Sequence, residues 1–220
     1  MAQTFAFRRQ EIVDKKTSLH NIIERWPALF EVQEVNQEFL RVTTRPLEAR
    51  FMQKLDEKSG ELIQVVRKKG GAIREKTKLL PIVETDTDTT TKRGIALKCL
   101  IPNMGESVED LIKEFLVSEK EEAGQILQQE TMAIFIIRDA QGAAPKDIGI
   151  ILEGQEVVNK LASVANAVAI LLGFLYALNL EYPKTLKLTF EYIQKVFMEL
   201  DPKGMATKVK KLYDQLYNTA

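Results

Sequence analysis

Thr131-Met-Ala-Ile-Phe-Ile-Ile-Arg138 and Asp147-Ile-Gly-Ile-Ile-Leu-Glu153 are two short runs rich in β-branched residues, separated by a loop that carries Gly142 and Pro145. Each has the length of a strand and is bounded by turn residues. The pair therefore predicts an antiparallel hairpin over Met132–Arg138 and Ile148–Glu153. A hairpin this apolar is not stable alone in water and needs a further surface to cover it. The stretch from Leu161 to Leu180 offers one, a nearly unbroken apolar pattern at helical length. Ser163, Asn166 and Asn179 interrupt it, and Lys160 and Glu181 bracket it closely, so it reads as a buried central helix and not as a membrane span. The fold class that follows is α+β and predominantly α-helical: a multi-helix domain with one buried β-hairpin packed on a central apolar helix.

Small residues recur within that helix at every fourth position: Ala165, Ala169, Gly173 and Ala177. Such a stripe lets another part of a protein approach the helix axis closely. Upstream, Leu19, Ile22, Ile23 and Trp26 have helical spacing, and Pro27 ends or kinks that helix. A large aromatic followed by proline at a helix junction predicts a buried corner, with Trp26 and Pro27 as its structural anchor. Phe30, Val35, Phe39 and Leu40 are expected to be buried on the next helix. Pro46 opens a long helix carrying Leu47, Phe51, Leu55, Leu62 and Val66, which Gly70-Gly71 ends. A weaker helix is expected from Ile73 to Val83. The polar run from Glu84 to Thr91 lacks apolar periodicity and reads as a loop. The chain, 1–220, is thus expected to be a single compact module. That loop, 84–91, is the expected point of subdivision between a helical part, 1–83, and an α+β part, 92–220.

Beyond the loop, Arg93 to Ile101 predicts a short buried helix stopped by Pro102 and Gly105. Ser107-Val-Glu-Asp110 resembles a capping box, and Val108, Leu111, Ile112, Phe115 and Leu116 make an apolar helical face behind it. Downstream of the hairpin, Pro183 opens a helix with Leu186, Phe190, Ile193, Phe197 and Leu200 on one face. The last helix carries Met205, Val209, Leu212 and Leu216.

Thirty-one basic residues balance thirty-one acidic ones, so no bulk field draws the chain to nucleic acid or to anionic membrane. The one cysteine, Cys99, has no partner for an internal disulfide, which fits a reducing, cytoplasmic or nuclear setting. The N-terminus is too polar for a signal peptide. His20 is the one histidine, so a histidine-based triad would have to use it, and no nucleophile motif stands near it. One cysteine and one histidine do not make a zinc site. Neither a P-loop nor a GxGxxG occurs. No cofactor, metal or small-molecule substrate is implied, and the expectation is that the chain is not an enzyme. Paired-carboxylate chemistry is the remaining enzymatic option.

Charge is segregated locally. Arg67, Lys68, Lys69, Arg74, Lys76 and Lys78 form a basic run opposed by Glu75 alone, whereas acids dominate from Glu106 to Glu130. The basic run is a candidate interaction patch for phosphate or an acidic partner, or else a solvated helix face.

Four stretches occur together in order: Arg25-Trp-Pro-Ala-Leu-Phe30, Lys69-Gly-Gly71, Asp147-Ile-Gly-Ile-Ile-Leu-Glu-Gly154 and Leu172-Gly-Phe-Leu-Tyr-Ala-Leu-Asn-Leu-Glu-Tyr-Pro-Lys-Thr-Leu186. With them the chain resembles the C-terminal module of sterile alpha motif domain-containing protein 3-like proteins, from about Phe5 to Leu216. The resemblance implies a eukaryotic intracellular module, usually part of a longer protein. It carries over no catalytic or binding residues. No sterile alpha motif domain is visible in this chain, so self-association through one is not implied.

The function expected from these features is a non-enzymatic protein-interaction or oligomerisation module. Its partner would be a second copy, most simply in a homodimer, or another protein. The alternative is a nucleic-acid-associated module of mobile-element origin that uses the patch around residues 67–78.

Overall fold

The structure is a computed structural model that describes residues 1–69, 88–140, 144–201 and 203–217. The chain groups into two compact units that interleave in sequence. The first comprises Met1–Glu48, Lys113–Ala162 and Asn166–Glu181; the second comprises Ala49–Ile112, Ser163–Ala165 and Tyr182–Ala220. Residues 88–91 of the expected linker lie within the span of the second unit.

The first unit holds a four-stranded sheet in the order β1 (Ile112–Leu116), β2 (Met132–Arg138), β3 (Asp147–Leu152) and β4 (Gln155–Val158). The expected hairpin is present: β2 and β3 pair antiparallel, with Ile134 opposite Ile150 and Phe135 opposite Gly149. One face carries Ala133, Phe135 and Ile151, packed with Leu127 and against Phe115 and Ile137. The other carries Ile134, Ile136, Ile150 and Leu152, all fully buried. Burial on both faces explains why the two runs read as continuously apolar, without alternation. Gly149 leaves room for the Phe135 ring lying over its strand; a Cβ there would collide with that ring and come within 2.6 Å of the Val158 carbonyl oxygen. Glu153 and Gly154, both at positive φ, turn β3 into β4, the backbone a two-residue hairpin requires.

The sheet is larger than the single hairpin expected, and β1 is a correction. Val108 to Leu116 was expected to be a helix; instead Val108–Asp110 forms one 3₁₀ turn and Ile112–Leu116 a strand beside β2. A short apolar run satisfies both periodicities, and pairing with a strand remote in sequence, β2, decides between them. Glu114 accepts from Arg138 Nε at 2.9 Å, a partner on β2 that no local pattern reveals.

The helical part of this unit contains α1 (Phe5–Arg9, continued by a wider turn over Gln10–Asp14), α2 (Leu19–Arg25) and α3 (Val32–Thr43). Leu19, Ile22, Val35 and Phe39 are buried as expected, but Leu40 is exposed. The long helix α4 (Leu47–Lys69) starts here and runs on into the second unit. Its Leu47, Phe51, Leu55, Leu62 and Val66 are all buried, and Ser59-Gly60 does not break it. The central helix, α7 (Val164–Ala177), is shorter than the apolar pattern that announces it. Asn179, at φ 54°, ends it in the left-handed conformation, and Leu180 N–H donates back to the Leu175 carbonyl at 2.9 Å. Phe174 stacks on Phe30, and Tyr176 meets Phe39 edge-on. No helix among the described residues is long and apolar enough to cross a membrane.

The second unit joins most of α4 to α5 (Thr89–Asn103), α8 (Lys187–Tyr192, extended by a wider turn over Ile193–Phe197) and α9 (Thr207–Tyr217). Asp88 caps α5 by accepting from Thr91 N–H at 3.0 Å, so the end of the polar run is a helix start. Pro102 is accommodated in the last turn of α5, and Gly105 follows at φ 76°. Arg93 forks onto Asp56 at 2.7 and 2.6 Å, fastening α5 to α4. Glu106 receives the Leu188 and Thr189 N–H groups at 2.7 and 2.9 Å, which places its carboxylate on the N-terminus of α8. Leu186, Phe190, Ile193 and Phe197 are buried as the spacing predicts, with Leu200 only partly so. The region from Ile73 to Val83 lies outside the described residues.

Candidate functional site

The densest polar arrangement in the first unit is at its N-terminal helices. In α3, Val35, Glu38 and Phe39 share one face by i, i+3 and i+4 spacing, and all three are buried. A carboxylate is thus carried into an apolar stripe. Arg8 of α1, also fully buried, meets it as a fork: Nε donates to Glu38 Oε1 at 3.0 Å and Nη2 to Oε2 at 2.6 Å. The remaining nitrogen, Nη1, donates to Thr4 Oγ1 at 2.9 Å and to the Met1 carbonyl at 3.2 Å. Arg41 adds a second cation on Glu38 Oε2 at 2.7 Å. Desolvation of this kind is tolerated only where every charged group is paired and hydrogen-bonded, as here.

Arg9 points elsewhere. Its Nη1 donates to the Tyr176 and Ala177 carbonyls at 3.0 and 2.8 Å, closing the C-terminus of α7 with a cation. Burial pulls its guanidinium below the ordinary arginine value, with Glu38 opposing that shift and Arg8 adding to it.

On the outer side of this network lies a surface of aromatic and cationic groups. Glu11, nearly buried, accepts from Trp26 Nε1 at 3.0 Å and forms an ion pair with Arg25, whose Nε lies 3.1 Å away. Phe7 is 45% exposed and meets the Trp26 ring at 6.3 Å and 65°. The Arg25 guanidinium lies 5.4 Å from the Phe7 ring and 5.8 Å from the Trp26 ring, and Lys15 Nζ lies 5.7 Å from Phe7. A shallow, open concavity beside Phe7 is lined by Ala6, Arg9, Gln10, Val13 and Asp14.

Trp26 was expected to be largely buried, and it is only partly so. Its polar edge is spent on Glu11 and its ring on Phe7 and two guanidiniums, so it sits at the rim of the core. Pro27 opens a 3₁₀ turn, Pro27–Phe30. For a core tryptophan, truncation to alanine costs about 3–5 kcal/mol; for this partly buried one, Trp26→Ala is expected to cost about 2 kcal/mol. Urea unfolding followed by circular dichroism measures it, and a loss below about 0.5 kcal/mol would deny Trp26 any anchoring role.

The other candidate residues are placed as follows. Ala165, Ala169, Gly173 and Ala177 are all buried on α7, and the neighbours of Gly173 are Val35 and Leu47 of this same chain. The stripe therefore does not offer itself to a partner at Gly173. Arg67 and Lys68 are exposed near the end of α4, and Lys69 is its last residue. Arg74, Lys76 and Lys78 lie outside the described residues, as does Gly70-Gly71. Cys99 is buried, and burial pushes its thiol up to about 11, which leaves little thiolate at neutral pH. His20 is on the surface, with Nε2 3.4 Å from Glu24 Oε1. No group of three or more metal-ligating side chains occurs among the described residues.

Sequence reasoning overlooked Arg8, Glu11 and Glu38. The available signal was a charged residue in phase with apolar ones: Arg8 four residues before Ile12, and Glu38 three after Val35. A charge at such a position either turns outward or finds a buried partner, and only the fold reveals which.

No curated protein and no solved structure matches the chain. A family model does match: that of the helical domain of sterile alpha motif domain-containing protein 3, over residues 1–31. Those residues include Arg8, Arg9, Glu11 and the Phe7–Trp26 surface, and through them the N-terminal end of the chain is related to the sterile alpha motif domain-containing protein 3-like proteins.

Proposed function

We propose that the chain is a non-enzymatic protein-interaction module of the cytoplasm or nucleus, and that the Phe7–Trp26–Arg25 surface is where it meets its partner. The observation that carries this reading is an exposed phenylalanine held edge-on to a tryptophan and flanked by two cations. Aromatic side chains and arginine are the residue types that dominate binding energy at protein interfaces. The buried Arg8–Glu38 fork beneath it stiffens the helices that present these groups, which lowers the ordering cost of binding. The placement of Cys99 and His20, one buried with a raised thiol and the other on the surface beside Glu24, supports the non-enzymatic part.

Trp26, the one tryptophan of the chain, is a built-in reporter for the surface. Peptides selected on the immobilised protein from a random displayed library should change Trp26 emission on titration. Phe7→Ser, at an exposed position, should fold normally and weaken that binding by ~10-fold or more. Equal affinity of the variant and the parent would overturn the assignment. Failure to select any peptide, together with salt-steep binding of generic DNA, would overturn it in favour of a nucleic-acid module.

A further inference from the structure

We infer that the partner of the Phe7–Trp26 surface is a second copy of this chain, docking through the corner where β1 runs into α6 (Lys120–Leu127); the inference rests on the reading just given. Five large hydrophobic side chains are exposed among the described residues: Phe7, Leu40, Leu116, Val117 and Ile126. Three of them fall within residues 116–126, the stretch that forms this corner. Leu116 ends β1, Val117 opens the 3₁₀ turn that follows, and Ile126 stands on α6. Isolated exposed apolar residues are ordinary; several on one short stretch indicate a contact surface.

The charges around the two apolar centres are opposite. Lys15 and Arg25 are exposed beside the Phe7 ring, and the exposed Lys16 and Asp14 flank Lys15 in the chain. At the corner, Glu119, Glu121 and Glu122 are exposed and line a shallow concavity with Lys120 and Gln125. Glu121 and Glu122 have no ion-pair partner among the described residues, and Lys16 has none either. An apolar centre with a basic rim facing an apolar centre with an acidic rim is the general anatomy of a specific interface. One chain carries both halves, so every copy meets the complementary surface at its own concentration. Equal numbers of acidic and basic residues mean that no net charge opposes the encounter. Because the two surfaces differ, they pair either reciprocally across a two-fold axis, each copy's Phe7 surface on the other's corner, or head-to-tail in a ring or a chain of copies.

Charge reversal tests this on the full chain. In light scattering, the wild type at roughly 50 micromolar should exceed the monomer mass at low salt and lose mass at high salt. Lys15→Glu with Lys16→Glu, and separately Glu121→Lys with Glu122→Lys, should each weaken association by ~10-fold or more. An equimolar mixture of the two double variants should recover it, because the native basic surface of one meets the native acidic surface of the other, and the two reversed surfaces attract as well. A wild type that stays monomeric at low salt, or a mixture as weak as its components, overturns self-pairing. If the monomeric chain still answers selected peptides through Trp26 emission, self-pairing alone falls. Silence of Trp26 to peptides and to concentration removes the interaction surface as well.

Discussion

Replacing Glu38 by alanine is expected to destabilise the first unit by about 3–5 kcal/mol, the cost of leaving a buried charge without its counter-ion. Arg8 is fully buried, and two of its nitrogens are committed to Glu38 at 3.0 and 2.6 Å. Truncating the carboxylate removes both acceptors while the guanidinium keeps its charge, because arginine is not deprotonated at any ordinary pH. Arg41 retains Glu34 as a partner, so the stranded group is Arg8. Glu38→Gln, which preserves shape but not charge, should fall between alanine and the parent. The companion experiment replaces both partners, Arg8→Met with Glu38→Leu. Exchange of a buried pair for apolar groups of similar size is often neutral, so the double variant should recover most of the stability lost by either single one. Urea unfolding read by circular dichroism supplies the stability of the parent and of each variant. A loss below about 1 kcal/mol for Glu38→Ala would mean that water reaches Arg8 and that the pair is not buried in solution.

The same pair marks where the sequence stopped being legible. Periodicity located the β2–β3 hairpin, the apolar helix and the buried faces of α4, α8 and α9, because each depends on which residues share a face within one element. It missed β1, since Val108 to Leu116 satisfies a helical pattern and the partner that makes it a strand, β2, lies further along the chain. It placed Trp26 in the core because tryptophan is apolar by bulk. Its exposure follows from Glu11 and two guanidiniums gathering on its edge and faces, contacts between residues up to eighteen apart. The candidate surface was missed for a related reason. Phe7, Lys15 and Arg25 are unremarkable as a string, and only the turn between α1 and α2 brings them together. The basic run of residues 67–78, conspicuous in sequence, has only Arg67, Lys68 and the backbone of Lys69 in the described structure.

Gly173→Leu is expected to cost roughly 1–3 kcal/mol, through overpacking at a helix face that has no spare volume. Even a methyl group has no room: a Cβ at this position would overlap Val35 Cγ1 and lie 2.7 Å from Leu47 Cδ2. Val35 and Leu47 are both fully buried, so neither side chain has solvent to move into. Gly173→Ala gives the more discriminating result. In an open helix interior, alanine for glycine stabilises by up to about 1 kcal/mol, because glycine forfeits more backbone entropy on folding. Gly60, inside α4 with nothing within 4 Å of its missing Cβ, should show that ordinary gain. Gly173→Ala should show the opposite sign, because steric conflict with Val35 and Leu47 outweighs the propensity gain. Thermal and urea unfolding of the two alanine variants side by side measures the difference, and solution mass should stay unchanged in both, since the crowding partners at Gly173 belong to the same chain. If both alanine variants are equally stabilised, α7 has slack at Gly173, and the recurrence of small residues along it has no packing role.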